Sequence, residues 1–437
     1  MANFVYEPLD TCTFRLLRLF KGRKHYDDRV CCELYEAPHP SEIDDDEDVY
    51  EALSYTWGNP DDTEPSPDET KDILMNDHQV PVTKNLYNAL YHLRYPGEDR
   101  IIWVDALCIN QRDASERSLQ VRQMCVIYSK AKSVIIWLGE SSEGIKLLME
   151  GVRELDRRIL RRPKPQEKDR LDVWYDEGRS FVRNMAASNY QVRREALEKL
   201  MKRSWFRRVW VVQEAAVASR ATIQCSWESA PTRTFALMPE LMDVKPQNRA
   251  RTLLEVMPGP CREQSWWRKD RRFNTLLQKF GWFEATDERD KIFALLGISV
   301  DTAVADCPLK VDYDADMAEV CRRTISFLAC GDILDVVTYS SPVWPLKELR
   351  RMLPSLRKNV FEWALRTEGS HAPLLRRLIH GMPRIDINVP LDDGGSYPVM
   401  VLIDKENSAE DFGALLDFTH RDAAELTSSV YSWDDKT

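Results

Sequence analysis

Trp210 and Glu214 lie four residues apart in the run Trp205-Phe206-Arg207-Arg208-Val209-Trp210-Val211-Val212-Gln213-Glu214, a spacing that puts both on one face of a helix. Two other runs end in polar and small residues where a strand should give way to a loop. They are Ala52-Leu53-Ser54-Tyr55-Thr56-Trp57-Gly58 and Ile101-Ile102-Trp103-Val104-Asp105-Ala106-Leu107-Cys108-Ile109-Asn110-Gln111. Ligands of open α/β sheets gather at the carboxyl ends of strands. Together the runs offer a carboxylate site. Glu214 is its candidate acid, and Ser54, Tyr55, Trp57, Asp105 and Gln111 lie at the two strand ends. A plain structural reading stands beside this one. Arg207, Arg208 and Glu214 then form a solvated face and Trp210 packs in a core. Asp105 caps the turn after its strand, and Ser54 and Tyr55 divide in the same way.

Other chemistries lack their signatures. The sequence holds no G-x-x-x-x-G-K-[ST], H-E-x-x-H, G-x-S-x-G or G-x-G-x-x-G motif. The seven histidines are widely spaced and form no metal pair, so no metal site is expected. Ten cysteines are scattered without a C-x-x-C pair, as expected of reduced thiols in a cytosolic protein. A net charge of -10 argues against a nucleic-acid partner, because phosphate contacts need a basic surface. No apolar stretch reaches the ~18 residues of a membrane span, and Met-Ala-Asn-Phe-Val-Tyr-Glu-Pro carries no signal-like apolar core. A soluble, cytoplasmic protein is the expectation.

The elements that must position the site follow from pattern. Phe14 to Leu19 and Val30 to Tyr35 read as strands of a hairpin ahead of the main sheet, in a β-rich extension over residues 1–48. Tyr50 to Trp57 is the first strand of the main domain. Ile73-Leu74-Met75 and Gln79-Val80-Pro81-Val82 make a small hairpin about Asn76-Asp77. Thr83 caps a helix with Leu86, Ala89, Leu90 and Leu93 on one face. A strand at Ile101 to Leu107 follows, then a helix opened by the Asp113/Glu116 capping-box pattern, then a strand at Ser133 to Gly139. This alternation predicts a parallel sheet with right-handed crossovers. Residues 140–195 break the rhythm and read as a surface insertion. Helices near Arg194 to Arg203 and Ser204 to Ala218 resume it, and Ala221 to Cys225 is a further strand. Residues 229–335 read as a helical subdomain, with Asp287 as an N-cap and Gly297 at a C′ position. Residues 336–437 read as a helical C-terminal region. Leu374-Leu375 to Pro398 falls in the order of degenerate ankyrin units, and an ordinary helical tail is the alternative.

The three runs, S-Y-x-W-G, W-x-D-A-x-C-I-N-Q and R-x-W-x-x-Q-E in that order, resemble the signature blocks of the fungal heterokaryon incompatibility (HET) domain. The resemblance covers roughly residues 50 to 228 and sets the domain at 49–228. Asp287-Glu288-Arg289-Asp290-Lys291-Ile292-Phe293-Ala294-Leu295-Leu296-Gly297 resembles a segment that often follows it. The resemblance implies an α/β fold akin to the TIR domain: a flavodoxin-like parallel sheet flanked by helices, followed here by a mainly helical C-terminal region. Some TIR domains cleave NAD+ at the nicotinamide–ribose bond with a glutamate in a W-x-x-x-E segment, which Trp210 to Glu214 match. The implied activity is NAD+ glycohydrolysis, with NAD+ as substrate and no cofactor. Glu214 and Asp105 would be its catalytic candidates, and Ser54, Tyr55, Trp57, Gln111, Arg208 and Trp210 would contact the substrate. The implied role is non-self recognition and incompatibility-type cell death, with self-association or another incompatibility protein as partner. A non-catalytic module that uses the fold for homotypic contacts is the alternative.

Overall fold

Val134-Ile135-Ile136-Trp137 is apolar throughout and buried throughout, as a strand covered on both faces must be. It is β7 of a nine-stranded sheet in the computed structural model, which describes residues 4–10, 13–22, 29–42, 50–58, 69–162, 170–303, 307 and 309–330. The strands are β1 (Thr13–Leu19), β2 (Cys31–Pro38), β3 (Glu51–Ser54), β4 (Thr70–Met75), β5 (His78–Thr83), β6 (Arg100–Trp103), β7 (Val134–Trp137), β8 (Ala221–Cys225) and β9 (Glu228–Pro231). Their order is β5-β4-β2-β1-β6-β3-β7-β8-β9.

The centre, β6-β3-β7-β8, is parallel. Counted along the chain from β3, its order is 2-1-3-4, which is that of flavodoxin-like sheets, with the switch point beside β3. The expected parallel sheet is therefore present, but it is the core of a mixed one. β1 pairs antiparallel with β6, so the N-terminal hairpin extends the main sheet instead of packing ahead of it. β8 turns back antiparallel into β9, a strand that its own sequence, Glu-Ser-Ala-Pro, does not announce.

The first helices are α1 (Lys84–Leu93), α2 (Asp105–Cys108), α3 (Ala114–Lys130), α4 (Glu143–Leu160), α5 (Arg170–Arg183), α6 (Ala187–Leu200) and α7 (Trp210–Val217). Beyond β9 come α8 (Thr232–Phe235), α9 (Met238–Leu241), α10 (Asn248–Leu254), α11 (Pro260–Gln264), α12 (Phe273–Phe280), α13 (Asp290–Leu296) and α14 (Met317–Cys330). Thr83 caps α1 by accepting from Leu86 N. Asn76 and Asp77 both have positive φ, as a two-residue hairpin turn requires. The insertion is helical. Ile145, Leu148, Met149, Val152, Leu155 and Ile159 line the buried face of α4. Strand β6 is shorter than its apolar run suggests, because Asp105 to Cys108 turn into one helical turn.

Two compact units result, one of Met1–Val304 with Lys310–Asp314, the other of Ala305–Leu309 with Ala315–Thr437. The extension at 1–48 and the helices at 229–304 thus share one unit with the central sheet. In the second unit the described residues include α14, where Thr324 Oγ1 donates to Val320 O at 2.7 Å. The helical and ankyrin-like expectations for 336–437 lie outside the described residues.

One buried ion pair joins β1 to the second sequence block. Arg15 Nη1 donates to Glu116 Oε1 at 2.6 Å and to Cys108 O at 3.1 Å. Glu116 Oε1 also accepts from Asn110 N at 2.8 Å. The capping box is thus only half realised. Asp113 caps α3, while Glu116 turns away to serve Arg15 and Asn110. Removing Arg15 strands a buried carboxylate, so Arg15→Ala should lower stability by about 3–5 kcal/mol in urea unfolding. Pairing Arg15→Met with Glu116→Leu should recover most of that loss. A single-variant loss below ~1 kcal/mol would refute this account.

Candidate functional site

The site begins where β3 ends. Ser54 is the last residue of β3 and fully buried. Its hydroxyl donates to Glu214 Oε2 and accepts the indole N–H of Trp205 at 2.8 Å. Trp205 lies in a short 3-10 turn, Ser204–Arg207, that breaks the single helix expected from Ser204 to Ala218. The break lets Arg208 extend between two helical turns, and its Nη1 donates to Tyr55 O.

The second carboxylate stands beside the first. Asp105 opens α2, with Ala106 N donating to its Oδ1 at 2.7 Å and Trp57 Nε1 to its Oδ2 at 3.1 Å. The Tyr55 hydroxyl bonds the same carboxylate. Gln111 Nε2 donates to Asp105 O at 3.0 Å and closes the loop that the second block forms. Tyr128 on α3 donates to Leu53 O at 3.0 Å and feels the charge of both acids. Trp57, 41% exposed, is the rim of the cluster, whereas Glu214 is 2% exposed.

These contacts set the ionisation. Burial pushes the Glu214 carboxyl up to about 8, Asp105 adds to the rise, and Arg208 and the Ser54 hydroxyl pull against it. Desolvation also raises Asp105, against Arg208 and the donors from Trp57, Ala106 and Tyr55. One guanidinium thus serves two acids in a dry site. At neutral pH Glu214 holds a proton, and the pair carries less charge than its composition implies. Two carboxyls with perturbed affinities at the carboxyl edge of a sheet have the character of a functional site.

Seven of the eight candidates, Ser54, Tyr55, Trp57, Asp105, Gln111, Arg208 and Glu214, are joined in this network. Trp210 stands apart. Its indole bonds Asp290. Three participants were not among the candidates. Trp205 opens the third block. Tyr128 gives no local signal. Asp290 sits in the segment 287–297, where α13 starts later than expected. Asp287 is not its N-cap; it accepts the Arg289 guanidinium. Gly297 has φ -70 and is no left-handed cap. A Cβ there would come within 3.0 Å of Cys125 Cβ, so close packing on α3 is what glycine serves. Among the described residues no group of three or more His, Cys, Asp or Glu could hold a metal ion, and no helix is long and apolar enough to cross a membrane.

The blocks that build this network define a class. Residues 50–214 match the heterokaryon incompatibility (HET) family model, and the match ends on Glu214. It is similar to heterokaryon incompatibility protein 6, OR allele, of Neurospora crassa, with 27% identity over 335 residues. The match takes in 66% of this chain and 47% of the relative, so the chain spans about half the relative's length. No solved structure matches.

The raised Glu214 affinity makes stability depend on pH. An unfolded glutamate releases its proton near 4.5, whereas the folded one keeps it to about 8. Between those values the folded state binds the extra proton. Stability is therefore full below the lower value and falls as pH rises, by up to about 1.4 kcal/mol per pH unit. Urea titrations from about pH 5 to about pH 8 should show that decline, flattened in Glu214→Gln. Equal slopes in the two proteins would contradict the assignment. Ser54→Ala should cost about 1–3 kcal/mol by orphaning the Trp205 indole, measured the same way at one pH.

Proposed function

We propose that the chain is an effector of fungal non-self recognition whose HET domain hydrolyses NAD+ at the nicotinamide–ribose bond once it is assembled. The observation that carries this reading is the convergence of all three sequence blocks on two carboxyls of raised proton affinity at the switch point of the sheet. The biological half rests on the HET domain and on the incompatibility protein to which the chain is similar. The chemical half rests on the resemblance of Trp210 to Glu214 to the W-x-x-x-E segment of NAD+-cleaving TIR domains.

The reaction asks little of the protein. The C1′–N bond breaks and its electron pair leaves with nicotinamide, which becomes neutral. Water adds to C1′ and gives up a proton. A carboxylate beside the ribose stabilises the oxocarbenium-like transition state. Trp57, already at the rim, offers a face for the nicotinamide or adenine ring. Arg208 offers a guanidinium to the pyrophosphate.

The sealed state supports a requirement for assembly in this reading. Glu214 is buried, protonated and bonded to Ser54, so it neither meets a substrate nor carries the needed charge. Because burial is the main cause of its raised affinity, admitting water to the site would both expose and ionise it. Activation and deprotonation are then one event. The same burial favours the second reading, a non-catalytic module in which Ser54 and Glu214 only fasten the fold for homotypic contacts.

The test is NAD+ loss and nicotinamide release by the purified protein, free and artificially clustered. Clustered wild type should turn over and the free protein should not. Folded Glu214→Gln and Glu214→Ala should lose about 10²–10³ fold. No turnover by a clustered, folded wild type would overturn the enzymatic reading and leave the interaction module.

A further inference from the structure

Helix α7 has no means of holding itself in place. It is eight residues long, buried at every position from Val211 to Ala216, and has no side-chain cap at its start. An isolated helix that short is marginal in water, so packing and side-chain ties must set its position. Three polar side chains supply the ties. Glu214 takes Ser54 of β3. Gln213, in the amide orientation that satisfies both neighbours, accepts from Cys125 N of α3 at 2.7 Å and donates to Ala294 O of α13 at 3.1 Å. Trp210 gives its indole N–H to Asp290 at the start of α13.

The third tie is the most heavily built. Asp290 also accepts the Tyr313 hydroxyl at 2.7 Å. The Tyr313 ring lies under the Arg117 guanidinium at 4.2 Å and meets Phe293 edge-on at 5.2 Å. Arg289 Nη1 donates to Tyr313 O at 2.8 Å. Arg122 of α3 holds Val311 O through Nε at 3.1 Å and Nη2 at 2.7 Å. Asp290 is half-buried, and its carboxyl accepts from both the indole and the phenol. Trp210 stands one helical turn before Glu214, and an α-helical turn is stiff enough to carry a displacement from one to the other.

We infer that Asp290 is a positioning residue for Glu214, acting through the Trp210 indole and itself held by Tyr313. Asp290 and Tyr313 thereby belong to the functional site although the family match ends at Glu214. The inference deepens the proposed NAD+ reading, since a placed carboxyl is what that chemistry needs. Its primary test does not depend on turnover.

That test follows the Glu214 carboxyl by infrared difference against Glu214→Gln across pH, in the whole chain. The groups that face Glu214 are Ser54, Asp105, Arg208 and Tyr128, and none is altered. In Asp290→Ala and Trp210→Phe the midpoint should move by about one unit or more, a tenfold change in proton affinity. Asp290→Asn keeps an acceptor for the indole and should restore it. Leu148→Ala, in the buried face of α4, should lower stability without moving the midpoint. An unmoved midpoint in folded Asp290→Ala and Trp210→Phe overturns the inference, as does an equal shift in Leu148→Ala. In clustered protein, Asp290→Ala should lower kcat at unchanged KM. If the wild type does not cleave NAD+, the functional reading falls while the midpoints still decide the positioning role.

Discussion

A single hydroxyl, that of Ser54, is where the parallel sheet and helix α7 meet. It accepts a hydrogen bond from one buried partner, the Trp205 indole, and donates one to another, the Glu214 carboxyl. Neither partner has water to fall back on, so the three groups fix one another's positions. Around them the structure is arranged to keep this line intact. Arg208 lies between two helical turns, bonds Tyr55 O and lends its charge to both acids, and Tyr128 anchors the strand carbonyl just before Ser54. The central sheet supplies the fixed end and the helices beyond residue 260 supply the other.

A buried acid is an uneconomical way to hold a fold together. An apolar side chain of similar shape would pack against β3 without a desolvation cost. Here two acids and one guanidinium are grouped within reach of each other, with an exposed tryptophan beside them. Such an arrangement stores a difference between a dry and a wet state. In the dry state the acid is neutral; with water admitted it is an anion. That difference gives a mixed α/β scaffold two electrostatic states without requiring a large change of backbone.

Much of this was legible in residue order. The amphipathic stripe of α1, its Thr83 cap, the Asn76-Asp77 hairpin and the apolar runs of β3, β6 and β7 follow from local periodicity and turn chemistry. Of the seven joined site residues all but Glu214, which lies within α7, sit near a strand end or a helix start, where sequence pattern is informative. What escaped was set by distant partners. β9 exists because β8 offers it an edge, and Glu116 leaves its capping role because Arg15 reaches it from β1. Trp210 matches a spacing, but its direction is decided by Asp290, eighty residues on. The α4 stripe was present in the sequence, yet the charged residues around it drew attention to its solvent face.

The antiparallel strands on either side of the parallel core have one more effect. β1 covers β6, and β9 covers β8. Both covering strands, and β8 itself, lie outside residues 50–214, the span that the family match recognises, so β6 and β7 are the strands that span would leave uncovered. A fragment cut to that span would leave two rows of unpaired backbone N–H and C=O groups, one at each side of an apolar sheet. Exposed edges of that kind pair with any strand they meet, most readily those of identical copies. The flanking strands therefore act as guards against indiscriminate self-association, and they leave assembly of the whole chain to surfaces other than the sheet edges that they cover.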